Sequence, residues 1–330
     1  MSTTLTRTRR LTGFKPTGHF TLGNLLGAIR PIVAPQYGSE CVAFLADLHA
    51  MTKEHDPAAL RALTLEQATV LLAAGVDPDR TLLYVQSQLP QHTELHYLLE
   101  CATGYGEAQR MIQFKEESTR QAQVRLSLLT YPVLMAADVL LHDTDEVPVG
   151  DDQTQHMELT RGIATRFNHR YGPTFTVPRV VNPEVAARVM DLSDPRAKMG
   201  KSTGSVAGTL FVLDPPAAVR RKVSRAVTDG ESRVRHDPER KPGVSNLLEI
   251  LAACTDRPLA DLAGEFDSYG RLKAAVTEAV VALTHPIQVR YAELSRDPGY
   301  VRRVLEEGAE RARERAEQTV FRARRAMGLL

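Results

Sequence analysis

Leu11-Thr12-Gly13-Phe14-Lys15-Pro16-Thr17-Gly18-His19-Phe20-Thr21-Leu22-Gly23-Asn24 reads as the end of a strand, a glycine- and proline-bounded turn, and the start of a helix. The amphipathic run Leu25 to Ile29 follows it. Thr21 to Asn24 therefore falls at a helix N-terminus, where unpaired N–H groups and the positive end of the helix dipole suit a phosphate. Short β-rich runs recur downstream, without an internal sequence repeat. The β-rich runs Cys41–Leu45, Thr81–Val85 and Val147–Val149 alternate with helical patterns at Pro57–Ala74, Glu94–Ala102 and Asp152–Arg166. This is the βαβ rhythm of a parallel sheet covered by helices. Ligands of such sheets lie at the carboxyl ends of the strands, where Thr21–Asn24 and Gly150–Gln153 are expected to fall.

From about Pro215 the pattern becomes mostly helical: Ala217–Val227, Ser245–Ala253, Leu259–Phe266, Leu272–Leu294 and Gly299–Met327, punctuated by Pro238, Pro242, Pro258, Pro286 and Pro298. The expected fold class is α/β, with a Rossmann-like parallel-sheet domain over residues 1–200 and a mostly helical domain over residues 201–330. The hydrophobic share of 43% supports a sizeable core.

With 41 Lys+Arg against 40 Asp+Glu, net charge does not announce a nucleic-acid partner, so such binding needs a local patch. Arg311, Arg313, Arg315, Arg322, Arg324 and Arg325 supply one in the terminal helical segment, although a solvated helix face reads the same way. Cys41, Cys101 and Cys254 are widely spaced and form no CxxC, which argues against a disulfide framework or a zinc site and for a reducing compartment. No apolar run is long enough to span a bilayer, and Ser2–Arg10 lacks the apolar stretch of a signal peptide. A cytoplasmic protein with no membrane association is expected.

A second motif, Ala197-Lys198-Met199-Gly200-Lys201-Ser202, places two lysines around a small residue, as suits a loop that closes over a polyphosphate. In this order and spacing, TLGN and AKMGKS resemble the two signatures of class I aminoacyl-tRNA synthetases. The blocks Gly13–Gly18, Leu128–Pro132, Leu134–Asp138, Val147–Gln153, Glu158–Arg161, Arg166–Asn168 and Lys241–Leu248 are similar to consecutive blocks of the bacterial tryptophanyl-tRNA synthetases. The resemblance runs from about Leu11 to Met327.

That resemblance implies activation of L-tryptophan by ATP and transfer to tRNA(Trp). It also implies a dimerisation insertion in the first domain, a homodimer, anticodon binding by the helical domain, and a terminal helix packing back toward the catalytic domain. It implies catalytic roles for Thr21, Asn24, Lys198 and Lys201. ATP would be bound by Lys15, Gly23, Asn24, Gly150, Asp152, Lys198, Met199, Lys201 and Ser202, with Mg²⁺ on its phosphates and no dedicated protein metal site. The tryptophan pocket would comprise Tyr131, Met135, Asp138, Val147, Val149, Gln153, His49 and Leu11. In it Asp138 accepts from the indole N–H, Met135 packs on the ring, and Tyr131 with Gln153 holds the α-ammonium.

The residues themselves allow plainer roles. Asn24 or Asp152 could cap the following helices, Val147 and Val149 could be core residues, and His49 could be structural. Tyr131, Met135 and Asp138 are spaced i, i+4 and i+7, so a helix beginning near Pro132 projects them from one face. Asp138 lies inside the apolar run Val133–Leu141, and a carboxylate there needs a donor, from a ligand or from a neighbour. Lys15 and Leu11 stand where relatives often carry Gln and Phe, which points Lys15 toward tolerance of tryptophan analogues. Gly200 replaces a usual Ser between the lysines. Glu117 replaces a usual Lys, a negative charge that Lys115 is near enough in sequence to offset. The rival readings are a tyrosyl enzyme, a synthetase-like regulator that does not charge tRNA, and a simple nucleotidylyltransferase.

Overall fold

The computed structural model describes residues 7–119, 123–150, 153–181, 189–200, 205–231 and 233–330. Its strands β1 (Arg9–Phe14), β2 (Glu40–Leu45), β3 (Thr81–Val85), β4 (Glu146–Pro148) and β5 (Arg179–Val181) form one sheet in the order β3-β2-β1-β4-β5. Every neighbouring pair is parallel, with Leu11 opposite Val42 and Cys41 opposite Thr81. The chain builds outward through β2 and β3, then returns to the other side of β1. The topological switch point thus lies between β1 and β4, where open α/β sheets hold their ligands.

Both faces of the sheet are buried. Cys41, Ala43 and Leu45 of β2 join one apolar core, and Val42 and Phe44 join the other. This follows from the period-two alternation of a strand covered on both sides.

The connections are helical. Thr21 caps α1 (Leu22–Asn24), which runs through a π-helical turn (Leu25–Ile29) into α2 (Arg30–Val33). α3 (Pro57–Ala73) leads to β3. α4 (Gln91–Glu100), α5 (Tyr105–Gln109), α6 (Ile112–Ser118) and α7 (Leu126–Leu141) fill the insertion between β3 and β4, and α8 (Thr154–Tyr171) joins β4 to β5. α7 begins six residues before Pro132, which lies inside it. The shared face of Tyr131, Met135 and Asp138 is therefore presented by a helix already under way.

Beyond residue 205 come α9 (Pro216–Ser224), α10 (Pro242–Thr255), α11 (Leu259–Leu262), α12 (Tyr269–Leu294) and α13 (Pro298–Ala326). α11 stops short of Phe266, with Gly264 just beyond its end. α12 passes through Pro286 without ending, although the proline supplies no N–H to the helix ladder. The core holding Phe14, Ile29 and Leu71 continues without a break into Val219, Leu247, Leu272 and Val301.

α13 lies against β3, the edge of the sheet, and covers it. Ala309, Ala312, Ala316 and Ala323 let the backbones approach. At Gly308 a Cβ would fall 2.0 Å from the Leu83 carbonyl oxygen, so only glycine fits. The terminal arginines are largely struts of this contact. Arg315 pairs with Glu40, Arg322 with Asp143 and Arg324 with Glu94, while Arg311 donates to the Pro78 and Asp79 carbonyls. Four of the six arginines of the basic segment are thus engaged with the adjacent sheet domain.

Candidate active site

Four strand ends converge on one region. Lys15 directly follows β1, Gln86 directly follows β3, and Gly150 lies two residues beyond β4. His49 lies in the 3₁₀ turn Leu48–Thr52 after β2. α7 crosses behind them and brings Asp138 to His49 and Gln86.

Asp138 is buried, with 2% of its surface exposed. Its carboxylate is held by three side chains: His49 Nε2 is 2.8 Å from Oδ2, and Gln86 Nε2 and His92 Nδ1 are 2.6 and 2.7 Å from Oδ1. Burial pushes its pKa up, but hydrogen bonds from His49 and His92 outweigh that and bring it down to about 2. Neighbouring side chains therefore satisfy the carboxylate. Each oxygen has two lone pairs, so Oδ1 is saturated and Oδ2 retains one.

Tyr131, about two turns toward the start of α7, meets the edge of the His49 ring at 6.2 Å between centroids. Its hydroxyl donates to Gln113 Oε1 at 2.7 Å and lies 2.8 Å from His156 Nε2. Burial and the nearby Glu117 push its pKa up. Met135 is half-buried against the same core, which also contains Leu11, Val147 and Val149. Gln153 is half-buried at the N-terminus of α8, its N–H bonded to the exposed Gly150 at 2.9 Å.

Thr21 and Asn24 form a reciprocal helix cap. Thr21 N–H and Oγ1–H both reach Asn24 Oδ1, at 3.0 and 3.1 Å, and Asn24 N–H returns to Thr21 Oγ1 at 3.3 Å. Their capping role is thus realised. Thr21 also bridges Phe211, and Leu22 N–H donates to Leu210, so the signature is stitched to the segment after the lysine motif. A Cβ on Gly23 would meet Val189 at an ordinary 3.6 Å, so no protein neighbour demands glycine there. Val189 in turn accepts from Met199 N–H at 3.0 Å, and Met190 forms a β-bridge with Lys198. Two motifs far apart in sequence thus share one wall.

Lys198 is exposed, whereas the Met199 side chain is buried in the core, so this residue can offer ATP only its backbone. Asp152, Lys201 and Ser202 lie outside the described residues. Lys15 Nζ reaches Thr52 Oγ1 at 3.3 Å. Burial first, then the charge of Lys53, lowers its pKa to about 8 against the opposing pull of Glu117. Glu117 is paired with Lys53 at 2.5 Å, which offsets its charge.

The sequence reading missed Gln86, His92, Lys53, Gln113 and His156. For His92 a signal existed: it shares the apolar face of α4 with Leu95 and Leu99 at i, i+3 and i+7. A histidine on such a face needs a buried partner.

Residues 4–284 match the family described as tRNA synthetases class I (W and Y). The chain is 56% identical over 328 residues to tryptophan–tRNA ligase 1 of Streptomyces coelicolor, with 98% of each covered. Its fold is similar to the tryptophanyl-tRNA synthetase of Mycoplasma pneumoniae, with TM-score 0.90, 35% identity and 98% of each chain covered. It is also similar to the Campylobacter jejuni tryptophanyl-tRNA synthetase complexed with ADP and tryptophan, with TM-score 0.81, 31% identity, and 97% and 100% of the two chains covered.

Proposed function

The chain belongs to the class I tRNA synthetases for tryptophan and tyrosine, and we propose how its residues divide the chemistry of that family. Its activity is that of a tryptophan–tRNA ligase, with ATP, L-tryptophan and tRNA as substrates. A tryptophan carboxylate oxygen attacks the α-phosphorus of ATP, the bond to the β-phosphate bridge breaks, and pyrophosphate leaves. A hydroxyl of the terminal tRNA ribose then attacks the adenylate carbonyl and AMP departs.

The first step needs no protein base, because the nucleophile is already an anion. Positioning and charge stabilisation carry it. Lys198 and Lys201 would meet the growing phosphate charge, Lys15 would add a third cation, and Gly23 would admit a phosphate close to the capped helix start. Asp152 and Gly150 would lie at the ribose, and Ser202 would follow the phosphates with the loop. Mg²⁺ would travel on the ATP phosphates. Among the described residues no group of three His, Cys, Asp or Glu side chains is gathered to hold a metal.

The single observation that carries the substrate assignment within the site is Asp138. It is a buried, ionised acceptor with one lone pair left, set on the helix face that also carries Tyr131 and Met135. An indole N–H fits that vacancy. Val147, Val149 and Leu11 would form the apolar wall, His49 would orient the carboxylate, and Tyr131 and Gln153 would hold the ammonium.

Residues 1–200 would form the catalytic domain and residues 201–330 the anticodon-binding one. Tyr97, Tyr105, Ile112, Val124 and Leu126 are exposed on the insertion between β3 and β4. Such a run of large apolar side chains supports a homodimer built through that insertion. No helix among the described residues is long and apolar enough to cross a membrane, and the widely spaced cysteines favour the cytoplasm.

The test is pyrophosphate exchange into ATP with each natural amino acid, followed by tRNA charging. Exchange with tryptophan and negligible exchange with tyrosine or phenylalanine is expected. Equal turnover with tyrosine would overturn the specificity, and exchange without charging would favour a regulator.

A further inference from the structure

Behind Asp138 runs a chain of polar side chains sealed in the core. His92 Nδ1 meets the carboxylate, and its other ring nitrogen, Nε2, lies 2.9 Å from Tyr84 Oη. Tyr84 Oη lies 2.7 Å from His142 Nε2. Tyr84 and His92 are fully buried and His142 is 1% exposed. Phe44 packs on Tyr84 and His92, with centroids 5.8 and 5.6 Å away. Polar atoms this deep are costly unless they are partnered.

Counting protons gives the chain a direction. An ionised carboxylate only accepts, so His92 Nδ1 must carry a hydrogen. With one hydrogen on the ring, Nε2 offers a lone pair, and the single proton of Tyr84 goes there. His142 Nε2 must therefore carry its own hydrogen and donate it to the Tyr84 oxygen. His142 Nδ1 is left as a bare lone pair with no partner among the described residues. The opposite polarity would put a second proton on His92 and strand an N–H on His142, the costlier orphan. Burial, the largest influence, lowers the His142 pKa to about 3, so that ring is neutral.

We propose that His92, Tyr84 and His142 are positioning residues: a one-way donor chain from His142 through Tyr84 to His92 pins Asp138 Oδ1 and turns the remaining Oδ2 lone pair toward the ring N–H of tryptophan. The inference rests on the role of Asp138 proposed above. Gln86 pins the same oxygen from the turn after β3, so the carboxylate cannot rotate to present the other edge. Selectivity for the ring N–H thereby depends on a hydroxyl and an imidazole that never touch substrate.

Tyr84→Phe removes the hydroxyl and keeps the ring. The readout is the ratio of kcat/KM for tryptophan to that for the analogue in which sulfur replaces the ring nitrogen, measured by pyrophosphate exchange. The ratio should fall about three- to thirtyfold, through KM for tryptophan rather than kcat. Asp138→Asn, measured alongside, should collapse the ratio. If Asp138→Asn leaves it intact, the reading of the pocket fails. If Asp138→Asn collapses it and Tyr84→Phe leaves it unchanged, the donor chain alone is overturned. Nitrogen-15 spectra of the unmodified protein test the chain without mutation: His92 should appear as the neutral Nδ1–H tautomer and His142 as the neutral Nε2–H tautomer. A doubly protonated His92, or the opposite tautomer on either ring, would overturn the proposal.

Discussion

Asn246 of α10 grips the backbone of Met190 from both sides: its Oδ1 accepts from Met190 N–H at 2.9 Å and its Nδ2 donates to Met190 C=O at 3.0 Å. Met190 is the bridge partner of Lys198, so a buried amide of the helical half holds the base of the lysine motif. Asn246→Ala strands two backbone groups and should destabilise the fold by about 2 kcal/mol. It should also slow adenylate formation about tenfold with little change in tryptophan binding. Lys198→Ala should slow the same step about a hundredfold, as loss of one preorganised contact to a developing charge does. Single-turnover adenylate formation and equilibrium tryptophan binding measure both. An Asn246→Ala protein with normal single-turnover rates would show that the grip serves stability alone.

Lys15 should make ATP binding sensitive to alkali. Its pKa near 8 lies below the unfolded value of 10.5, so between those limits the folded chain binds fewer protons than the unfolded one. This group's contribution to stability consequently rises with pH through that window, the reverse of a lysine that gains a partner. Its positive charge is lost above pH 8 as well. KM for ATP should climb there, by up to about tenfold per pH unit, and Lys15→Gln should abolish the inflection. An identical pH profile in the two proteins would remove Lys15 from the nucleotide site.

Arg315→Gln and Arg322→Gln test the struts between α13 and the sheet. Both pairs are partly exposed, so each loss should cost only about 0.5 kcal/mol. Thermal unfolding should report that loss, while the salt dependence of tRNA charging stays unchanged. A shallower salt slope would return these arginines to the tRNA surface.

Gly308→Ala drives a methyl into the Leu83 carbonyl and should cost about 3 kcal/mol, because backbone on both sides resists relaxation. Gly162 of α8 is the control. It is exposed with open space around it, so Gly162→Ala should gain about 1 kcal/mol of helix propensity. Comparable denaturation midpoints for the two variants would refute the close packing of α13 on β3.

What the sequence determined by itself is local in character. Periodicity alone located β2, β3, α3 and the four longer helices of the second half, since burial on one or both faces leaves its trace in neighbouring residues. The strand-turn-helix at Leu11–Asn24 and the lysine motif were legible because phosphate chemistry demands particular residues at short spacing. Asp138 stood out as a charge inside an apolar run. Only the tertiary structure decided what surrounds it, because its donors come from three strand-end or helical segments, at His49, Gln86 and His92. The terminal arginines show the same limit. Their spacing defines a basic helix, but whether that charge meets RNA or carboxylates depends on which surface α13 covers. Gly308 and the alanines around it settle that through contacts more than two hundred residues apart in sequence, a separation at which side-chain pattern carries no signal of its partner.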